Sequence, residues 1–317
     1  SPYNSFIITL IFHINTKDFL VELDKIRVTI FIPIYQGESY LVDCIESALV
    51  QEYSKVVLLY GGGEDRSFDI ANKYLDKGVE VIDTSNNRGM ANNWNNAIKL
   101  VNTDFFCILH QDDLLHMNYA KNMVEYYNNL NSENCAMVYC DNYTINQEGN
   151  EILYFSDLVK RFFRKPVFDI DNNLKRLLTL PVITCPTILY KTNLIKHVGI
   201  FNPKYHDALD WEFQVRTVIS GYSIHYFKTK LYYYRRHLNN ETVKNRESLL
   251  RYKEILSVYK QLNKDHLPLL DRGLMSQSYL RRFVILLLIK DVIIDMVRMS
   301  PNYRVKINYM MEIYREK

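Results

Sequence analysis

Between Arg27 and Tyr139 the chain alternates short apolar runs with amphipathic stretches. Val28–Ile34 is a continuous apolar, β-branched run, the pattern of a strand buried on both faces. In Ser39–Gln51, the residues Leu41, Val42, Ile45, Ala48 and Leu49 recur at helical spacing. Lys55–Tyr60 predicts a second strand, Gly61–Gly63 a turn, and Asp65 the N-cap of a helix over Arg66–Leu75. The rhythm continues with a strand at Val79–Asp83, a helix at Met90–Val101 and a strand at Phe105–Leu109. A helix at Asn118–Leu130 and a strand at Ala136–Tyr139 follow. Strand and helix at this spacing predict an α/β fold, a mostly parallel sheet with helices on both faces. Ligands in such sheets bind at the carboxyl ends of the strands. Gly61–Gly63 and His110–Asp113 both fall at such ends.

The second half is less regular. A short helix is expected at Leu174–Leu180, a strand at Thr187–Tyr190 and a helix at Ala208–Gly221 with a glycine stop. Ile224–Phe227 and Leu231–Arg235 read as two short strands, and the chain reads as helical from Glu247 onward. In Tyr279–Met299 the longest apolar run, Phe283–Ile289, is stopped by Lys290 and Asp291 and is too short to span a bilayer. Two readings stay open. The tail packs on the domain or on a second copy, giving a homodimer. Alternatively it makes peripheral membrane contact, with Arg281, Arg282, Lys290 and Arg298 facing anionic lipid.

Composition narrows the class. The chain has 317 residues and is 48% hydrophobic, enough for a large core. A net charge of +3 gives no basis for a nucleic-acid partner. The five cysteines are odd in number and form no C-x-x-C pair. They read as reduced thiols of a cytoplasmic protein, without disulfides or a zinc site. The opening run Phe6–Phe12 is too short and lacks the basic lead of a secretory signal.

The stretch "FFCILHQDDLL" carries the chemistry. Adjacent carboxylates Asp112 and Asp113 directly after a strand suit a hard divalent cation that keeps phosphate oxygens in its shell. They also suit a helix N-cap beside a solvated acid. Elsewhere the chain carries, in order, "TIFIPIYQGESYLVDCIESALVQ", "LLYGGGEDRSFDIANKY" and "NNRGMANNWNNAI" before that stretch. "GIFNPKYHDALDWEFQVR" and "YYYRRH" come after it.

This series resembles the family 2 glycosyltransferases with the GT-A fold, from about Val28 to Thr242. The resemblance implies an inverting transfer from a nucleotide sugar, with Mg2+ or Mn2+ as cofactor. It implies that Pro33 and Tyr35 line the nucleoside pocket and that Gly61 gives close backbone approach. Asn95 matches a donor-binding position, and Trp94 stands where an arginine is usual. On the same mapping Asp112 contacts the donor and Asp113 holds the metal. His110 is either a neutral ligand or a hydrogen-bonded strand end. Asp210 takes the place of the general base, with Glu212 as fallback and helix capping as the plain alternative. Arg235 faces the diphosphate and His237 the metal. The resemblance puts a UDP-sugar first among donors. It leaves the base open, because Tyr60-Gly61-Gly62-Gly63 lacks the carboxylate that often reads it.

The implied organisation is an N-terminal extension (1–26), a nucleotide-sugar-binding half (27–142), an acceptor-binding half (143–242) and a C-terminal helical region (243–317). The acceptor is a glycan or a lipid-linked precursor, and the setting is the cytoplasm or the inner face of the membrane. Two other classes remain as expectations. One is a non-catalytic module that binds a sugar nucleotide or a partner. The other is a metal-dependent nucleotidyltransferase, against which "PIYQGESY" offers no basic phosphate loop.

Overall fold

A computed structural model describes residues 26–153, 164–179, 181–237, 240, 245, 248–265, 277–297 and 299–315. The Phe6–Phe12 run, Arg298, and the side chains of Arg281 and Arg282 lie outside the described residues.

The first half forms β1 (Val28–Ile34), α1 (Leu41–Leu49), β2 (Ser54–Tyr60), α2 (Ser67–Asn72), β3 (Glu80–Asp83), α3 (Met90–Leu100) and β4 (Phe105–Ile108). Then come β5 (Leu114–Leu115), α4 (Tyr119–Asn128), β6 (Cys135–Ile145), β7 (Val167–Phe168), α5 (Leu174–Thr179), β8 (Ile188–Lys191) and α6 (Thr192–Val198). The chain continues through α7 (Leu209–Ile219), β9 (Ser223–Arg235), α8 (Leu250–Asp265), α9 (Gln277–Val297) and α10 (Asn302–Arg315).

Among the described residues the strands form one sheet in the order β3-β2-β1-β4-β8-β6-β9-β5, with β7 also on β9. The expected parallel pairing holds for β3-β2-β1-β4. Beyond β4 the sheet is mixed, because β8 runs against both β4 and β6. The two short strands expected at 224–227 and 231–235 are one strand, β9, running parallel to β6 through irregular register near Cys140 and Asp141. The boundary drawn at residue 142 falls inside β6, so the two halves share the sheet.

Side chains alternate across the sheet at period two. Ile30 and Ile32 pack with Leu41, Ile45 and Met123 on one face. Phe31 packs with Ile98, Phe106 and Tyr190 on the other, in a core that extends through Phe213, Tyr252 and Leu288. The tail helices α8 and α9 are therefore part of the main core, as the burial reading expected. Lys306 of α10 is buried against Asp295 of α9, Nζ to Oδ2 2.5 Å. An unpaired ammonium there would be strongly unfavourable. All five cysteines are buried free thiols. Burial pushes the Cys107 and Cys135 thiols up to about 12.

Candidate functional site

In-register parallel pairing sets the geometry. Ile34 lies opposite Tyr60 and Phe31 opposite Ile108, so the loops after β1, β2 and β4 leave one edge of the sheet together. The Gln111 side chain clamps two of them. Its Oε1 accepts from the Tyr35 amide at 2.9 Å and its Nε2 donates to the Tyr35 carbonyl at 2.8 Å. A Cβ on Gly37 would sit 2.3 Å from Gln111 Oε1, so a side chain there displaces the clamp. The third loop joins through Gly37 N–H to Ser67 Oγ (2.8 Å) and Glu38 N–H to Asp65 Oδ2 (3.0 Å). The helix expected over Arg66–Leu75 with Asp65 as N-cap runs Ser67–Asn72 with Arg66 at the N-cap, and Asp65, one residue earlier, accepts from Ser67 N–H at 3.2 Å.

The adjacent acids diverge. Asp113 is 1% exposed. Its Oδ1 accepts from the Arg235 amide at 2.7 Å and its Oδ2 from the Tyr232 hydroxyl at 2.9 Å. Burial, and then the Asp112 charge, push its carboxyl well above the usual carboxylate range. Asp112 instead lines a cavity of about 1090 Å³. Its Oδ2 lies 2.8 Å from His237 Nε2 and accepts from Asn240 Nδ2 at 3.2 Å. Burial raises its carboxyl. The His237 hydrogen bond and the His110 and His237 charges outweigh that and hold it below its ordinary value.

His110 stacks on Trp94 with centroids 5.4 Å apart, and burial lowers its imidazole below the ordinary value. Its Nε2 is buried without a hydrogen-bond partner. His110, Asp112 and Asp113 offer ligand atoms within 4.8 Å of one another. Carboxylate oxygens and an imidazole nitrogen gathered this closely fit a divalent cation of the Mg2+ or Mn2+ type.

Pro33, Tyr35, Gly61, Asp112, Asp210 and His237 all line this cavity. Asp210 is the second residue of α7, and its Oδ1 accepts from the Trp211 amide at 2.8 Å. Asp113, Asn95 and Arg235 do not line it. Arg235 is 2% exposed, lies 4.6 Å over the Tyr40 ring, and donates from Nε to the Asp112 carbonyl at 2.9 Å. The period of two sends Arg236 to the cavity in its place. Glu212 is held by Arg216 at 2.8 Å and lies outside the cavity lining.

Asn95 is buried, with Nδ2 donating to the Phe201 carbonyl (2.9 Å) and Oδ1 accepting from the Phe201 amide (2.8 Å). It ties α3 to the loop before α7. Asn95→Ala strands both Phe201 backbone groups and is expected to cost about 1–3 kcal/mol in urea unfolding. Unchanged stability would show that water replaces the amide.

Several lining residues were not anticipated. Asn93 faces the cavity, anchored to the Leu59 carbonyl at 3.0 Å. Its place two residues before Asn95 was the only signal. Arg251, Ile255 and Tyr259 reach the cavity from α8. Their spacing of four along a helix was visible, but nothing in the sequence said which surface that face meets.

The family model described as glycosyl transferase family 2 matches residues 29–199. An uncharacterised glycosyltransferase of Rickettsia typhi is 30% identical over 202 residues, covering 62% of this chain and 61% of that protein. The chain thus spans about three-fifths of that relative's length. Among solved structures, S. aureus TarS 1-349 in complex with UDP-GlcNAc superposes with a TM-score of 0.59 at 16% identity, covering 82% of this chain and 70% of that one. The mannosyltransferase PcManGT from Pyrobaculum calidifontis, in complex with GDP-Man and Mn2+, gives 0.60 at 14% identity, covering 91% and 85%. At these identities the likeness is one of fold, the GT-A fold.

Proposed function

We propose that this chain, which belongs to glycosyl transferase family 2, moves a sugar from a nucleotide-sugar donor to a hydroxyl of a glycan or lipid-linked acceptor, with inversion. The observation that supports this reading most is one cavity lined both by the Asp112–His237 pair and by Asp210. In the proposed reaction the acceptor hydroxyl oxygen bonds to the anomeric carbon as that carbon's bond to the diphosphate oxygen breaks. Asp210 takes the hydroxyl proton. The nucleoside diphosphate leaves with the bonding electrons.

Asp112 and His237, with His110 beside them, would hold Mg2+ or Mn2+. When bound, such an ion supplies charge stabilisation for the leaving diphosphate. Asp113 we assign to positioning rather than to the ion, since both its oxygens are already taken by Tyr232 and Arg235. Arg236 and Arg88 are the cavity cations we assign to phosphate or base, with Arg251 also in the lining. The donor half then lies before residue 143 and the acceptor half after it, within one sheet. The crystallised neighbours make a uridine or guanosine diphosphate sugar the first candidate donor. No described helix is long and apolar enough to cross a membrane. We place the reaction in the cytoplasm or at the inner face of the membrane, with the buried free thiols as support.

Thermal-shift titration with UDP-GlcNAc, GDP-mannose and other nucleotide sugars, with and without Mn2+, tests the reading. A donor at a hundred times its Kd should add about 2.7 kcal/mol of stability only when the metal is present. No metal-dependent shift with any nucleotide sugar would favour a module that binds something else.

A further inference from the structure

The helix that carries Asp210 has no cap of its own. Its N-cap residue is Ala208, which has no side-chain acceptor, and the local side-chain bond to a first-turn amide is the one Asp210 itself accepts from Trp211 N–H. The turn that leads into the helix is held from α8. Glu254 is 8% exposed, and its carboxylate takes three consecutive backbone N–H groups. His206 N–H donates to Oε1 at 2.8 Å, Asp207 N–H to Oε2 at 2.8 Å and Ala208 N–H to Oε2 at 2.9 Å. A buried carboxylate is costly unless met by such donors, and three charge-assisted bonds offset that cost.

Two further contacts from α8 bracket the same turn. Arg251 Nε lies 3.9 Å from Asp207 Oδ2. The Tyr259 ring meets Trp211 edge-on, centroids 5.3 Å apart. Asp210 therefore sits between a loop and an indole that are both fixed by one later helix. A serine or aspartate at position 208 would have capped α7 locally. Holding the 206–208 turn from α8 makes the direction of the Asp210 side chain depend on that helix.

We propose that Glu254 is a positioning residue that fixes the amino end of α7 and so aims Asp210 into the cavity. The proposal rests on the assignment of Asp210 as base. It is tested on the full chain with Glu254→Gln, which keeps the volume and replaces one acceptor oxygen by a donor. The probe is whichever of UDP-GlcNAc and GDP-mannose gives the Mn2+-dependent thermal shift. Turnover is followed as nucleoside diphosphate release, with water as acceptor. We expect kcat to fall about 10- to 100-fold, the penalty of a small misplacement. KM and the thermal shift for the nucleotide sugar should stay unchanged. Amide exchange should accelerate at 206–208 and not in β1. Glu254→Asp, which keeps the carboxylate, should recover part of the loss.

Wild-type kcat in Glu254→Gln overturns the proposal, as does a parallel loss of donor binding and of protection throughout the chain. If Glu254→Gln does not fold, Glu254→Asp carries the test alone. Lowered kcat at constant KM supports the proposal, and unchanged kcat despite faster exchange at 206–208 overturns it. The two assignments fail separately. Full turnover in Asp210→Asn removes the base, whereas an inactive Asp210→Asn beside a fully active Glu254→Gln removes only the positioning role.

Discussion

Asp210→Asn is expected to lower turnover by about 10²- to 10⁴-fold, the usual contribution of a positioned general base, while nucleotide-sugar binding is unchanged. The amide keeps the size of the carboxylate and can still accept from the Trp211 N–H, so α7 should start as before. What disappears is the ability to take a proton. Steady-state kinetics with a thermal-shift control separate the two effects. A variant that binds donor with Mn2+ and does not turn over supports the base assignment. A variant with full turnover removes it, and Glu212 does not inherit the role, because its carboxylate is held by Arg216 away from the cavity.

Asp112→Asn is expected to abolish most of the Mn2+ dependence of donor binding. Losing an outer-shell partner of a metal ligand already costs about 10–100-fold in affinity, so losing a ligand oxygen should cost at least about 100-fold. The same change weakens the contact with His237, the other proposed ligand, 2.8 Å away. The measurement is the Mn2+ midpoint of the nucleotide-sugar thermal shift. Asp113→Asn is the contrast: its two oxygens serve Tyr232 and the Arg235 amide, so its loss should register first in stability. If the Mn2+ midpoint moves in Asp113→Asn and not in Asp112→Asn, the division of the pair made from the sequence was the right one.

The strands β1 to β4 and the helices between them were legible because hydrophobic periodicity is a local property. So was the convergence of Pro33, Tyr35, Gly61, Asp112, Asp210 and His237, which their places at strand and helix ends set. What was not legible was the facing of neighbours. Asp112 against Asp113, and Arg235 against Arg236, are adjacent pairs in which one side chain turns in and the other out. The register of β9 against β5 and β6 decides which, and that is a long-range fact. Asn95 matched a pattern and yet pairs with Phe201, a partner 106 positions away. β9 was read as two strands because its middle, Lys228-Thr229-Lys230, is polar; pairing with β6 skips Lys228 and Thr229 and resumes at Lys230, so the strand continues across the irregularity.

The buried cysteines have a kinetic meaning. Each thiol lies inside the fold, and burial makes its thiolate scarce. A thiol-directed reagent therefore reacts at the rate at which packing opens, not at the rate of the free thiol. Labelling of Cys107 and Cys135, on β4 and β6, reads the opening of the sheet itself. Cys185, alone among the five, lines the cavity. The chain thus carries its own clocks, one for the wall of the site and others for the core.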